Sequence, residues 1–249
     1  MDRYFLKEPK VFKGLRLGEE PILCPPIVDF NDNVKETIVK YKGYLKLVEI
    51  RYDYLYGKIS LSEILDYVRS IGLHHIFTFR RYEEGGNVMV DDSVRAEVMA
   101  KSLDYNPSLI DIELNSLKRN SLIFKPVIEE AKTRGIGIIV SYHNFKETES
   151  LEVLRQIAHE EYSLGADVLK ISTMVNSVDD VLKLLTLTKE LRDIYDLPLI
   201  VLGMGELGKI TRITSPFFGS DIVYVDLFGS SAPGQLKFLD ALKIFEVLY

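Results

Sequence analysis

One cysteine, Cys24, stands among 249 residues. A single thiol cannot build a disulfide framework or a cysteine-based zinc site within the chain, and it fits a reducing cytoplasm. No Lys/Arg tract or basic stripe interrupts a sequence of net charge −6, so the electrostatic footprint of a nucleic-acid binder is missing. The same sign means that an anionic ligand needs a local cluster of arginines. No apolar run approaches the ~20 residues needed to cross a bilayer, and no membrane association is expected. The opening stretch MDRYFLKEPK is charged and lacks the apolar segment of a secretory signal. No Pro/Gly/Ser-rich linker and no low-complexity segment divides the chain.

The chain does contain short β-like runs at regular intervals: ILCPPIV (22–28), LKLVEIR (45–51), HHIFTFR (74–80), SLIDIEL (108–114), GIIVSYH (137–143), DVLKIS (167–172), LPLIVLG (197–203) and DIVYVDL (221–227). They are continuous apolar runs rather than strict alternations, as parallel strands covered on both faces require. Their spacing leaves room for one helix per interval. SLSEILDYVRS opens with Ser60 and Glu63 at capping-box spacing. Ser177 is the expected N-cap of the helix that follows it, and Gly165 the C′ glycine closing SLEVLRQIAHEEYSLG. A last helix is expected over GQLKFLDALKIFEVL. With 47% hydrophobic residues the chain can bury a sizeable core. Together these features predict one (β/α)8 barrel, a TIM barrel, spanning residues 1–249, with a doubly wound sheet as the runner-up.

Such barrels carry their active sites at the C-terminal ends of the strands. The polar residues expected there are Glu49 and Arg51, Arg80 with Arg81, Glu83 and Glu84 after it, His143, Lys170, Arg212, and Ser230, Ser231 and Gln235. Lys170 is the odd residue in its strand, because an unpaired ammonium in a core costs several kcal/mol. It could snorkel or pair with a carboxylate. The sharper reading is a nucleophile, its amine freed by desolvation and by nearby arginine cations so that it attacks a carbonyl. His143 falls one βα unit earlier and should sit on the neighbouring strand end, with a side chain suited to moving protons at neutral pH. A carboxylate next to it, such as Glu84, would orient the ring and stabilise its charged form. Arg51, Arg80 and Arg212 at one rim would grip a carboxylate. His74 and His75 begin a strand and His159 lies on a helix, so all three are read as structural.

GMGELG matches G-x-G-x-x-G after a strand, and Asp226 follows at about the distance of a ribose-binding acid. The context argues against a dinucleotide site. Only one strand and one helix remain downstream, where a nucleotide fold needs more, and Pro216 interrupts the intervening helix.

Taken in order, VEIR (48–51), FTFRRYEEGG (77–86), IDIEL (110–114), VSYHNF (140–145), GADVLKIS (165–172), GMGELGKITR (203–212), FGS (218–220) and SAPGQ (231–235) resemble type I 3-dehydroquinate dehydratase over nearly the whole chain. The resemblance implies a (β/α)8 barrel, a homodimer, no metal or organic cofactor, and dehydration of 3-dehydroquinate to 3-dehydroshikimate. It implies Lys170 as the Schiff-base lysine, His143 as general acid/base and Glu84 as its carboxylate partner. Glu49, Arg51, Arg80, Arg212, Ser231 and Gln235 are implied as substrate-binding residues. One position departs: where the family often has a serine on strand 1, this chain has Cys24, Pro25 and Pro26, so no site residue is expected there. Two rivals remain. A class I aldolase-type barrel would share the lysine chemistry but prefer a phosphate, and a non-catalytic binder would have no use for both Lys170 and His143.

Overall fold

The structure is a computed structural model and describes residues 6–249; residues 1–5 of the charged opening stretch lie outside the described residues. Strands form at all eight expected places: β1 (Ile22–Cys24, resuming at Pro26–Ile27), β2 (Leu47–Arg51), β3 (His74–Thr78), β4 (Leu109–Glu113), β5 (Gly137–Asn144), β6 (Val168–Met174), β7 (Leu199–Met204) and β8 (Ile222–Asp226). Each pairs in parallel with the next from β1 to β7, and β8 returns to pair with β1 through Ile222↔Ile22 and Tyr224↔Cys24. This closure rules out the open doubly wound sheet.

Two seams in the ring have local causes. Pro25 interrupts β1 because it lacks an N–H, so the segment before it pairs with β8 and the segment after it with β2. Between β7 and β8 no ladder forms. Asp221 bridges instead: its N–H donates to the Leu199 carbonyl at 2.7 Å and its carboxylate accepts from the Leu199 N–H at 2.6 Å. Arg192 pairs with that carboxylate at 2.6 Å, so the buried charge is compensated.

The two-residue period of a strand decides what faces the barrel axis. Residues pointing outward, such as Val48, Ile50, Phe77, Ile110, Ile112, Ile138, Val140, Leu169 and Ile171, form one cluster with the helices. Inward residues at the N-terminal ends form a second, apolar cluster with Ile22, Leu47, Ile76, Leu109, Ile139, Val168, Ile200 and Ile222. Two residues further along, most strands turn polar on the same face, giving Glu49, Thr78, Asp111, Ser141 and Lys170. Lys170 therefore points along the axis from the middle of β6, which runs on to Met174, rather than from the strand's end as its sequence context suggests.

A hairpin not anticipated from the sequence closes the N-terminal end. Lys10–Phe12 pairs antiparallel with Leu15–Leu17 across Lys13 and Gly14, both at positive φ (50° and 89°), the two-residue turn whose twist suits a hairpin. Leu15 and Leu17 join the inner apolar cluster, each burial contributing about 1.5–3 kcal/mol. Among the helices, Ser177 caps Val178–Ile194 in a full capping box with Asp180, whereas Ser60 makes only the forward half, accepting from the Glu63 N–H. Leu151–Ser163 ends just before Gly165, whose φ is +85°. The last helix is shorter than expected: Leu236–Lys237 pairs with β8 and the helix begins at Phe238. No helix among the described residues is long and apolar enough to cross a membrane.

Candidate active site

One cavity at the C-terminal end of the barrel is lined by all nine residues that the resemblance implies, Glu49, Arg51, Arg80, Glu84, His143, Lys170, Arg212, Ser231 and Gln235, whereas Arg81, Glu83 and Ser230, also expected at that end, do not line it. The nine come from β2 and β5, from β6, and from the segments after β3, β7 and β8, so their convergence is a product of barrel closure.

Lys170 is 4% exposed. Its amine donates to Asp111 Oδ2 at 2.7 Å and to the Tyr224 hydroxyl at 3.0 Å, and Glu49 Oε1 lies 3.8 Å away. The charges closest to the amine are thus carboxylates, not the arginine cations expected to free it. Asp111 answers the cost of burying the lysine, and it also accepts from Arg80 at 2.8 Å and from the Ser141 hydroxyl at 2.6 Å. Burial alone would raise the Asp111 carboxyl, but Arg80 and Lys170 outweigh it and hold the group well below the usual carboxylate range. Glu49 accepts from the Thr78 hydroxyl at 2.8 Å.

The three arginines differ. Arg51 makes a two-pronged pair with Asp53, both contacts at 2.8 Å, and donates to the Gly85 carbonyl. Arg80, carried two residues past the end of β3, is shared among Asp111, Glu113 and Ser141. Both are neutralised within the protein. Arg212 stands on the short helix Lys209–Thr214, not in a loop, and is 1% exposed. It donates only to the carbonyls of Tyr224 at 3.1 Å and Pro233 at 3.3 Å, its Nε has no partner, and no carboxylate pairs with it among the described residues. Burial without a counter-charge lowers its pKa to about 10. The picture of three arginines gripping one carboxylate reduces to one arginine with binding capacity to spare.

Glu84 ends a 3-10 turn, Tyr82–Glu84, and its carboxylate accepts from the Asn115 amide at 2.9 Å and meets His143 Nδ1 at 3.2 Å. Gly86 is tightly held, since a Cβ there would stand 2.3 Å from the Arg80 carbonyl oxygen; Gly85 has φ +84°. Glu83 is exposed and pairs with Arg81, so Glu84 is the inward acid of the two. Burial and the neighbouring Glu113 push the Glu84 carboxyl up to about 7. Burial, with Arg80 and Lys170 adding to it, holds the His143 imidazole well below its usual 6.5. At neutral pH the ring is therefore uncharged, with an acid behind it that is about half ionised.

Ser231 and Gln235 hold one another: the Ser231 N–H donates to Gln235 Oε1 at 3.0 Å, and Gln235 Nε2 to Ser231 Oγ at 3.2 Å. This loop rests on the one after β7, where a Cβ at Gly234 would come within 2.4 Å of the Gly205 carbonyl. The glycines of GMGELG thus serve a turn and a close backbone contact leading to Arg212. Asp226 binds the Gly229 N–H and Lys237 in its own loop, so the fingerprint has no nucleotide geometry.

None of Cys24, Pro25 and Pro26 lines the cavity; Cys24 is buried in the barrel interior. His74 bonds Ser108 at the opposite end, His75 is buried there, and His159 meets the Tyr195 hydroxyl at 3.5 Å on the outer helices. Asp111 and Tyr224 were missed as site residues. Acids two apart in IDIEL must share a face of the strand, which was the available signal for Asp111 and Glu113. Tyr224 was detectable only by its inward parity with Ile222.

The family described as Type I 3-dehydroquinase matches residues 24–249. A 3-dehydroquinate dehydratase of Methanocaldococcus jannaschii is 36% identical over 227 residues, covering 89% of this chain and 96% of that protein. The crystal structure of 3-dehydroquinate dehydratase from Geobacillus kaustophilus superposes with a TM-score of 0.87 at 27% identity, covering 99% of this chain and 98% of that one. A type I 3-dehydroquinate dehydratase from Clostridium difficile, solved with covalently modified comenic acid, gives a TM-score of 0.85 at 27% identity, with 98% of each chain covered.

Proposed function

This chain belongs to the type I 3-dehydroquinase family and is a hydro-lyase, and we propose that it converts 3-dehydroquinate to 3-dehydroshikimate through an imine on Lys170. The observation that carries this reading is Arg212: a buried guanidinium with no carboxylate partner among the described residues, lining the same cavity as an amine and a neutral imidazole. Such a charge is costly until an anion enters, and guanidinium grips a carboxylate through two hydrogen bonds. A small keto acid supplies both the carboxylate for Arg212 and the ketone for Lys170. The covalently modified comenic acid in the Clostridium difficile relative supports covalent chemistry in this family.

In this reading Lys170 sheds a proton, attacks the C3 ketone and loses water to form an imine. Protonated, the imine is an electron sink that acidifies the C2 proton. His143 is neutral, as a base must be, and removes that proton; Glu84 stabilises the imidazolium. The enamine expels the C1 hydroxyl, His143 returns the proton to the leaving oxygen, and hydrolysis of the imine releases product. Asp111 stays ionised throughout and holds the amine on the barrel axis. Ser231 and Gln235 fix the ring from the loop above, and Glu49, Arg51 and Arg80 shape the floor and wall. The proposal extends to a homodimer in the cytoplasm, as the resemblance implies; sedimentation as a monomer would contradict the first, and export of the native protein the second.

The direct test is to mix the protein with 3-dehydroquinate and follow conjugated-enone absorbance. Growth of the enone at catalytic protein concentration is the expected result. Tight binding without an enone would leave a binder, and reaction with sugar phosphates instead would leave an aldolase-type enzyme.

A further inference from the structure

Lys170 has a neutral partner as well as charged ones. The Tyr224 hydroxyl lies 3.0 Å from its nitrogen, and the tyrosine ring centroid is 4.4 Å from it. Tyr224 reaches this place because it is the second inward residue of β8, registered with Cys24 on β1, and it lines the cavity. Its backbone carbonyl accepts from Arg212, so the strand that carries the hydroxyl is also tied to the unpaired guanidinium.

Imine formation has a requirement that the steps assigned to His143 above do not include. When an amine adds to a ketone, the nitrogen gains positive charge and the oxygen negative charge, and a proton must pass from one to the other. Asp111 touches the nitrogen but is held ionised by Arg80 and Lys170. Guanidiniums do not release protons. A neutral phenol in contact with the nitrogen can both accept and donate, and an oxygen on the carbon bonded to that nitrogen falls within its reach. Burial, with Glu49 adding to it, pushes the Tyr224 phenol well above its usual range, which keeps it protonated and neutral between turnovers.

We propose that Tyr224 is a further catalytic residue, whose hydroxyl relays a proton from the Lys170 nitrogen to the substrate's ketone oxygen during carbinolamine formation. The C–N bond forms and the carbonyl π pair moves to oxygen. That oxygen takes the tyrosine proton, and the tyrosine oxygen takes a proton from nitrogen. Tyrosine ends unchanged, no redox partner is involved, and the same relay runs backwards when the imine is hydrolysed. His143 keeps the separate work at C2 and at the leaving hydroxyl. The proposal rests on the imine reading above.

Tyr224→Phe keeps the ring and deletes the relay. The readout is the single-turnover rate at which borohydride-reducible adduct accumulates on Lys170 after mixing with 3-dehydroquinate. A fall of about 100-fold or more is expected, the usual contribution of a positioned proton donor, with substrate affinity changed only a few-fold. Adduct formation at the wild-type rate overturns the relay while leaving the imine intact, whereas a wild-type protein that yields no adduct overturns the imine reading itself. A second measurement needs no variant. The wild-type rate of adduct formation in mixed H2O and D2O should depend on deuterium fraction along a curve, because two protons are in flight; a linear dependence contradicts the relay.

Discussion

Lys170 Nζ and Asp111 Oδ2 lie 2.7 Å apart inside the barrel, 59 residues apart in the chain. Asp111 also holds Arg80, so one carboxylate compensates two buried cations. Removing one member of a buried pair costs about 3–5 kcal/mol, because the charges left behind stay desolvated. Asp111→Ala should therefore lower the unfolding free energy, read from denaturant titration, by that amount and disorder the amine's position. A variant as stable as the wild type would mean that solvent already reaches these charges.

Arg212 predicts the opposite balance. It has no counter-charge to lose among the described residues, so Arg212→Met should leave the unfolding midpoint unchanged or raise it. Substrate binding should weaken by about 2–5 kcal/mol, the cost of leaving a buried carboxylate without its partner. The check is a thermal melt beside a KM measurement. A large loss of stability with KM intact would mark Arg212 as a structural cation.

The Glu84–His143 pair fixes a pH dependence. The proposed mechanism requires Glu84 ionised and His143 neutral. With the Glu84 carboxyl near 7 and the imidazole well below 6.5, kcat/KM should fall as pH drops through about 7 and level off about one unit above it. Glu84→Gln should remove that limb, leaving a fall only at the lower pH where His143 protonates, and should lower the plateau. An acid limb unchanged in the variant would assign it to another group.

His143→Ala separates the steps. In the proposed mechanism imine formation needs the amine, while proton removal at C2 needs the imidazole. The variant should still accumulate a reducible adduct with substrate, yet turn over at least about 100-fold more slowly. Mass spectrometry of the quenched protein, read beside the enone assay, checks both halves.

The barrel was legible because each parallel strand is a compact run covered on two faces, and eight such runs leave little choice of fold. The residues that line the cavity could be picked out because polar side chains interrupt those apolar runs, inside the strand at Glu49 and Lys170 and near its end at His143. The charge pairing was not legible. Arg51 meets Asp53 only two residues on, but Arg80 is paired by Asp111 and Glu113 across strands, and spacing along the chain does not reveal register around a closed ring. Asp111 and Tyr224 were hidden for a related reason: each sits inside its strand, where a lone polar atom gains a role only from the neighbour it faces. The hairpin at Lys10–Leu17 escaped because three-residue strands carry too little periodicity to register.

The most direct test of the account is chemical capture at Lys170. Protein treated with borohydride in the presence of 3-dehydroquinate, digested and analysed by mass, should carry a reduced substrate adduct on the peptide containing Lys170 and lose activity in proportion. Full enone formation with Lys170 unmodified under the same conditions would contradict covalent catalysis by this lysine.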